Sequence, residues 1–277
     1  MKRNLKRVGL ALGCAVMLGG TLQAANATTP AANPPKAHVN ALVKKDAIQL
    51  INIAGKQRML SQRIAKDYLY IGKHIATDKA RKQLKTSLKE FRDNQARLAE
   101  MINDPEIKNL LEFVNMSLDE LSGIVKKPFS LDNAQLVLDL SESMLEGSQY
   151  VVDSLTKALN IKESRIVAIS GKQRMLAQRI AKYYIAYQAG IKDKNTVDQM
   201  DAAVAEFSKD HKILMENKDN TATINQKLAK VDKLWKVVYK FYLNIEKGGL
   251  PFIVFTTTDD ITRQMDVITK LYVELYK

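Results

Sequence analysis

Two arginines, each set one turn after a glycine, are the residues of this 277-residue chain whose type and spacing best suit chemistry. Gly55–Lys66 reads GKQRMLSQRIAK and Gly171–Lys182 reads GKQRMLAQRIAK, so eleven of twelve letters agree at an offset of 116. Each segment carries the same candidate ligand-binding set: Gly55, Arg58, Met59 and Gln62 in the first, Gly171, Arg174, Met175 and Gln178 in the second. On a helix turning about 100° per residue these four share one side, with Ile48, Ile51, Ala65 and Leu69. The opposite side holds Ile53, Leu60, Ile64, Tyr68 and Ile71, an ordinary core face. A solvent face would not carry apolar residues around an arginine and a glutamine, so the stripe calls for a second packing partner. Glycine inside a helix costs about 1 kcal/mol relative to alanine and is used where a backbone or ligand comes close. If the two stripes face each other, two guanidiniums meet and repel unless an anion or a carboxylate compensates them. A small planar oxyanion suits the guanidinium fork. A purely structural use, with glycine for close approach and arginines paired with carboxylates, fits the same residues. The neighbouring Arg63, Arg179, Lys66 and Lys182 are expected to be solvated or ion-paired.

Other chemistries find less support. His38, His74 and His211 have no second ligand at metal spacing, so no metal or cofactor is expected. Ser154-Leu155-Thr156-Lys157 matches S-x-x-K but lacks the companion signatures of that enzyme class. Gly171-Lys172 lacks the other parts of a phosphate-binding loop. The chain does not read as an enzyme, and the methionines read as core filler.

The elements that must position these residues are helices. Apolar residues recur at three and four, as in Leu50, Ile53, Gln57, Leu60, Ile64, Tyr68 and Ile71, and no window alternates with period two. Expected helices run about 39–76, 78–102, 105–126 and 131–159, then about 161–189, 196–217, 222–246 and 256–277. Thr77-Asp78 and Thr196 are candidate caps, and Asp104-Pro105 reads as an N-cap with proline at the first helical position. Glu90-Phe91 and Glu206-Phe207 extend the repeat at the same offset, whereas Pro128-Phe129 and Pro251-Phe252 align at 123. The fold class is all-α: two tandem antiparallel four-helix bundles, 39–159 and 160–277. Leu159-Asn160-Ile161-Lys162 is a weak stop. A long continuous helix could join the bundles, or the second could fold back on the first.

Met1–Arg7 is basic, Val8–Leu22 apolar, and Ala25-Asn26-Ala27 offers a cleavage site, which together predict a secretory signal peptide over 1–27. Lipidation at Cys14 is the competing reading. A proline- and alanine-rich linker follows over 28–38. Cleavage would remove the single cysteine and, with Lys2, Arg3, Lys6 and Arg7, take the formal charge from +13 to +9. Export argues against a nucleic-acid partner despite that charge and predicts a periplasmic protein.

The run from Asp46 to Arg63, DAIQLINIAGKQRMLSQR, resembles the signature helix of the PilJ/NarX-like sensor domains. These are the N-terminal domains of type IV pili methyl-accepting chemotaxis transducers and of nitrate/nitrite sensor kinases. The resemblance implies an extracytoplasmic four-helix bundle and an anion, nitrate or nitrite, held between two copies of this helix. The implied positions are Gly55 with Arg58 and Gly171 with Arg174. Asp46 and Asn52 would be auxiliary in the first copy alone, because the second has Lys162 and Ala168 there, and Ser170 for Ala54. Lys56-Gln57 is closer to the pili-transducer branch. No kinase or methyl-accepting segment follows, so a membrane-bound receptor, kinase or transducer is the expected partner. Pairing is expected in a homodimer or as an intramolecular pseudo-dimer. The competing function is an envelope scaffold or adaptor that uses the same stripe as a protein–protein surface.

Overall fold

Burial pattern separates two kinds of helix. In the computed structural model, residues 44–159 and 162–276 are described. The expected signal peptide, Cys14, the whole linker and the expected start of the first helix at 39–43 lie outside them. The helices are Lys44–Gly72 (α1), Thr77–Met101 (α2), Pro105–Ile124 (α3), Leu131–Leu159 (α4), Lys162–Ala189 (α5), Lys194–Met215 (α6), Ala222–Tyr242 (α7) and Pro251–Leu275 (α8), with a 3-10 turn at Ile245–Lys247. No strand occurs among the described residues. The outer helices are amphipathic. α2, for instance, buries Ala80, Leu84, Ser87, Phe91, Gln95 and Leu98 at spacings of three and four and exposes the lysines and arginines between. α1 and α5 differ. From Leu50 to Tyr70 only Lys56 and Arg63 are more than marginally exposed, and their counterparts Lys172 and Arg179 behave alike in α5. A helix buried all round needs partners on every side.

Those partners define the architecture. α1–α4 form one bundle and α5–α8 a second; α1 packs chiefly on α5, α4 and α2, and α5 on α1, α8 and α6. α3 and α7 stand outermost, packed on α4 and α8. α5 folds back on α4 and does not continue it as one helix. α4 and α5 run antiparallel, since Glu142 meets Arg179 and Lys182, far from the turn, and the cavity between the helices is lined by Gln149, Asp153, Lys172 and Met175 nearer to it. α1 and α5 therefore pair within one chain, in parallel. A Cβ on Gly55 would lie 3.9 Å from Gly171 Cα, and further along Gln62 and Lys182 both reach Ser141. The relation is a pseudo-twofold axis between the repeats.

Local chemistry sets the ends. Asp104 Oδ1 accepts from Ile107 N at 3.0 Å with Pro105 at the first helical position, as the sequence predicts. Asp104→Ala should lower stability by about 1 kcal/mol, read as the midpoint of urea unfolding; an unmoved midpoint would show the cap to be idle. The other expected caps are corrected. α6 is capped by Asp193, whose carboxylate accepts from Thr196 N at 2.7 Å, because α6 begins two residues before Thr196. α2 is entered through Ala76 in the left-handed region, φ 51°, without a side-chain cap from Thr77 or Asp78. α8 begins at Pro251 and not near 256, since proline's fixed φ suits a first turn. The Pro-Phe pairs are not spatial equivalents: Phe129 packs on Tyr68 at 5.6 Å between ring centroids, whereas Phe252 is exposed.

Candidate functional site

Glycine at the α1–α5 crossing lets two arginine side chains lie over the joint. The terminal nitrogens of Arg58 and Arg174 are 3.3 and 3.4 Å from where a Gly55 Cβ would sit, and 3.6 and 3.2 Å from a Gly171 Cβ. A larger side chain at either glycine would displace a guanidinium. Arg58 Nη2 donates across to Ala168 O at 3.4 Å, and Arg174 Nη2 to Asn52 O at 3.3 Å. The two bonds exchange under the repeat offset, so the arginines are reciprocal and each reaches into the other half. Both bonds are long, and buried Arg58 Nε has no partner.

Two cations 1 % and 0 % exposed need compensation. Arg174 has it: Nη1 donates to Asp266 Oδ1 on α8 at 2.7 Å. Burial alone would raise the Asp266 carboxyl, but Arg174 and Lys270 hold it down to about 2. Arg58 has no carboxylate bonded to it; Asp153, Glu206 and Asp210 act on it only through space. Its Nη1 donates at 2.5 Å to Gln149 Oε1 on α4, a neutral amide. Burial, and then the proximity of Arg174, push the Arg58 guanidinium down to about 10. Burial also lowers Arg174, against the pull of Asp266. The pair therefore carries two buried cations and one directly bonded carboxylate.

The other expected site residues are only partly gathered here. Met59 and Met175 are buried beside the arginines in sequence. Gln62 turns away and donates to Ser141 O on α4 at 3.0 Å, and Gln178 to Thr262 Oγ1 on α8 at 2.8 Å, so each braces its own bundle. Asn52 contributes its backbone carbonyl, and its side-chain oxygen is buried without a partner. Asp46 is exposed near the start of α1, about two turns below Asn52, and does not join the cluster. The stripe is not a free surface. Arg58, Met59 and Gln62 are at most 2 % exposed and Arg174, Met175 and Gln178 at most 4 %. An adaptor surface built from these residues is excluded in this arrangement, because α1 and α5 cover each other.

Several buried polar residues exceed what the sequence pattern announces. Lys66, fully buried, donates to Asp259 Oδ1 on α8 at 2.7 Å and to Gln83 Oε1 on α2 at 3.0 Å, and lies 4.3 Å from the Phe255 ring centre. Lys182 does the corresponding thing in reverse, donating at 2.5 Å to Glu142 on α4, which Arg179 also binds. Each lysine thus ties its own helix to the fourth helix of the other half. Burial pushes Lys182 down to about 8 against the pull of Glu142. The doubled final letter of the motif was the available signal; its acidic partners lie too far along the chain to be seen locally. Gln57, read as part of the periodic face, bridges α1 to α2 through Phe91 O and Gln95 Oε1, and Gln173 repeats the first of these bonds to Phe207 O.

Among the described residues no cluster of three His, Cys, Asp or Glu could hold a metal, and no helix is long and apolar enough to cross a membrane. No curated protein and no solved structure matches the chain. The family model described as type IV pili methyl-accepting chemotaxis transducer N-terminal, PilJ, matches it twice, over residues 40–127 and 159–248. Both matches contain the glycine–arginine helix, α1 in one and α5 in the other, and together they span well over half of the sequence. Doubled signature, all-helical bundles and family match agree, and the chain belongs to the PilJ family of chemotaxis-transducer N-terminal domains, of which it carries two copies.

Proposed function

We propose that this protein is a periplasmic, non-enzymatic sensor module that holds one small oxyanion, of the nitrate or nitrite kind, between α1 and α5. The observation that carries this reading is the charge count at the helix crossing: two buried, reciprocal guanidiniums and one directly bonded carboxylate. An oxyanion accepting from both arginines would replace long bonds to backbone carbonyls with charge-assisted ones. It would also offset the repulsion from Arg174, which after burial is the second cause of the lowered Arg58 pKa. The single-domain arrangement implied by the family needs two chains; here the duplicated halves, divided near residue 160, supply both signature helices within one. Drawing the arginines together would shift α1 against α5, and the shift would travel along these 29- and 28-residue helices to a membrane-bound receptor, kinase or transducer.

Calorimetric titration of the full chain with nitrate and nitrite, with chloride and sulfate as controls, tests the reading. Saturable binding at one anion per chain is expected, weakened at least about 100-fold in Arg58→Ala/Arg174→Ala, the size of one or two lost charged hydrogen bonds. Circular dichroism checks that the double variant is folded. Binding that survives the double substitution, or no binding to a folded wild-type chain, rejects it.

A further inference from the structure

The two arginines sit in the same frame but face opposite charge sequences. On α4, Arg58 Nη1 donates to Gln149 Oε1, and Gln149 Nε2 donates onward to Asp153 Oδ1 at 2.7 Å. On α8 the matching positions are Asp266 and Lys270: Arg174 Nη1 donates to Asp266 Oδ1 at 2.7 Å, and Lys270 Nζ lies 2.8 Å from Asp266 Oδ2. The second half therefore reads cation, anion, cation, a chain of charges complete in itself. The first half reads cation, neutral amide, anion. Its middle member has an oxygen on a guanidinium and an NH2 on a carboxylate. Those are the contacts that a carboxylate and an ammonium would make more strongly.

This middle member is accessible. Gln149 lines a groove of about 570 Å³ between α4 and α5, with Glu146, Tyr150, Asp153 and Met175. The groove's charges argue against a bare anion. Of its carboxylates, Glu142 is bound by Arg179 and Glu206 by Lys172. Among the described residues, Glu146 and Asp153 have no cation within ion-pair distance. A negative ligand approaching Arg58 here meets two carboxylates that no cation contacts directly, Asp153 acting on Arg58 only through space, whereas a ligand that also carries a positive charge pairs with one of them.

We propose that the α4/α5 groove binds a zwitterionic α-amino acid, its carboxylate displacing Gln149 Oε1 from Arg58 and its ammonium taking the place of Gln149 Nε2 on Asp153. The ligand's side chain lies toward Tyr150 and Met175. Asp266, bonded to Arg174, closes the equivalent position in the second half, so one ligand binds per chain. The inference rests on the reading of Arg58 as an oxyanion donor and extends it to the α4/α5 side of that arginine, where the oxyanion is a carboxylate with an amino group beside it.

The experiment is a thermal-shift screen of the full chain with the twenty L-amino acids, followed by calorimetry of any hit beside sodium acetate, methylammonium chloride and sodium nitrate. The expected result is an amino acid bound at least tenfold more tightly than either half-ligand. Asp153→Asn is expected to weaken it at least tenfold while tightening acetate, because the substitution removes a repelling charge. Gln149→Glu, which gives Arg58 the bonded carboxylate that Asp266 gives Arg174, is expected to weaken both. Asp153 is exposed, so its variant tests charge and not folding. Arg58-dependent nitrate binding with no amino-acid binding would overturn this inference and leave the oxyanion reading in place; no binding of either to a folded chain would overturn both. Equal weakening of acetate and the amino acid by Asp153→Asn would also overturn it.

Discussion

Lys66→Ala is expected to lower the unfolding free energy by about 3–5 kcal/mol, the usual consequence of removing one partner from a buried ion pair. Lys66 is fully buried and is the meeting point of three helices: it lies on α1, bonds Gln83 on α2 and Asp259 on α8, and stacks over Phe255. Asp259 would keep Gln83 as a donor at 3.2 Å and the more distant, exposed Lys79 at 3.8 Å. Asp67 would lose the cation 3.4 Å from its oxygen. The lost stem would also leave a cavity between the halves. Lys182→Ala is expected to cost less, although Lys182 is equally buried, because Arg179 still holds Glu142. Removing both members of the first pair, as Lys66→Met/Asp259→Leu, should recover most of the loss, since no buried charge of that pair is then left without a partner. Urea unfolding of the four proteins gives the comparison. A loss below about 1 kcal/mol for Lys66→Ala, or a double variant no better than the single, would show that this pair does not hold the halves together.

The residues that were legible in the sequence are those whose reason is local or repeated. Gly55 and Gly171 announce a close helix approach because an isolated glycine in a helix has a cost with no local return, and the structure places them against each other. The duplication itself, with Arg58 and Arg174 on matching faces, implied a paired site. What was not legible depends on distance along the chain. Whether the repeats pair in cis turns on four residues at 159–162 with neither a glycine nor a proline, and the answer comes from contacts such as Arg58 with Ala168, 110 residues apart. Lys66 has the same local surroundings as a solvated lysine; only Asp259, 193 residues on, makes it a core residue. Asp46 stands apart from the arginines for the converse reason. Its type fitted an auxiliary role, but the helix leaves it exposed two turns from the crossing. Gln62 and Gln178 share the arginines' side of the helix wheel, but the fourth helices take up their donors. A helix buried all round has no single face from which one stripe's use can be read.

That same buried joint makes stability depend on pH in an unusual direction. Burial raises the Asp67 carboxyl from 3.8 to about 7, against the pull of Lys66 and Arg63 on its own helix and with the push of Asp259 from α8. Neither Asp67 oxygen has a hydrogen-bond partner. In the second repeat the equivalent residue is Tyr183, so this carboxyl has no counterpart across the pseudo-twofold. A folded-state pKa above the unfolded one means that the native state holds a proton the unfolded state has released. The stabilisation is complete below about pH 4 and is lost as pH rises through about 7. A shift of this size corresponds to roughly 4 kcal/mol between the two limits. Asp259 works in the opposite sense, because Lys66 overrides burial and lowers its pKa, but its contribution changes only below the ordinary carboxylate range. It therefore does not mask the effect between pH 5 and 8. Asp67→Asn should flatten the dependence, matching wild type near pH 4, exceeding it increasingly from there to about pH 7 and by a steady margin above. Urea midpoints at unit intervals across that range decide the matter. Burial lowers His211, which adds stability as pH rises through the ordinary histidine range and so opposes Asp67 in the wild-type curve. The comparison with Asp67→Asn removes that contribution, and an Asp67→Asn chain with an unchanged slope would mean that Asp67 stays ionised and that Lys66 serves both carboxylates at once.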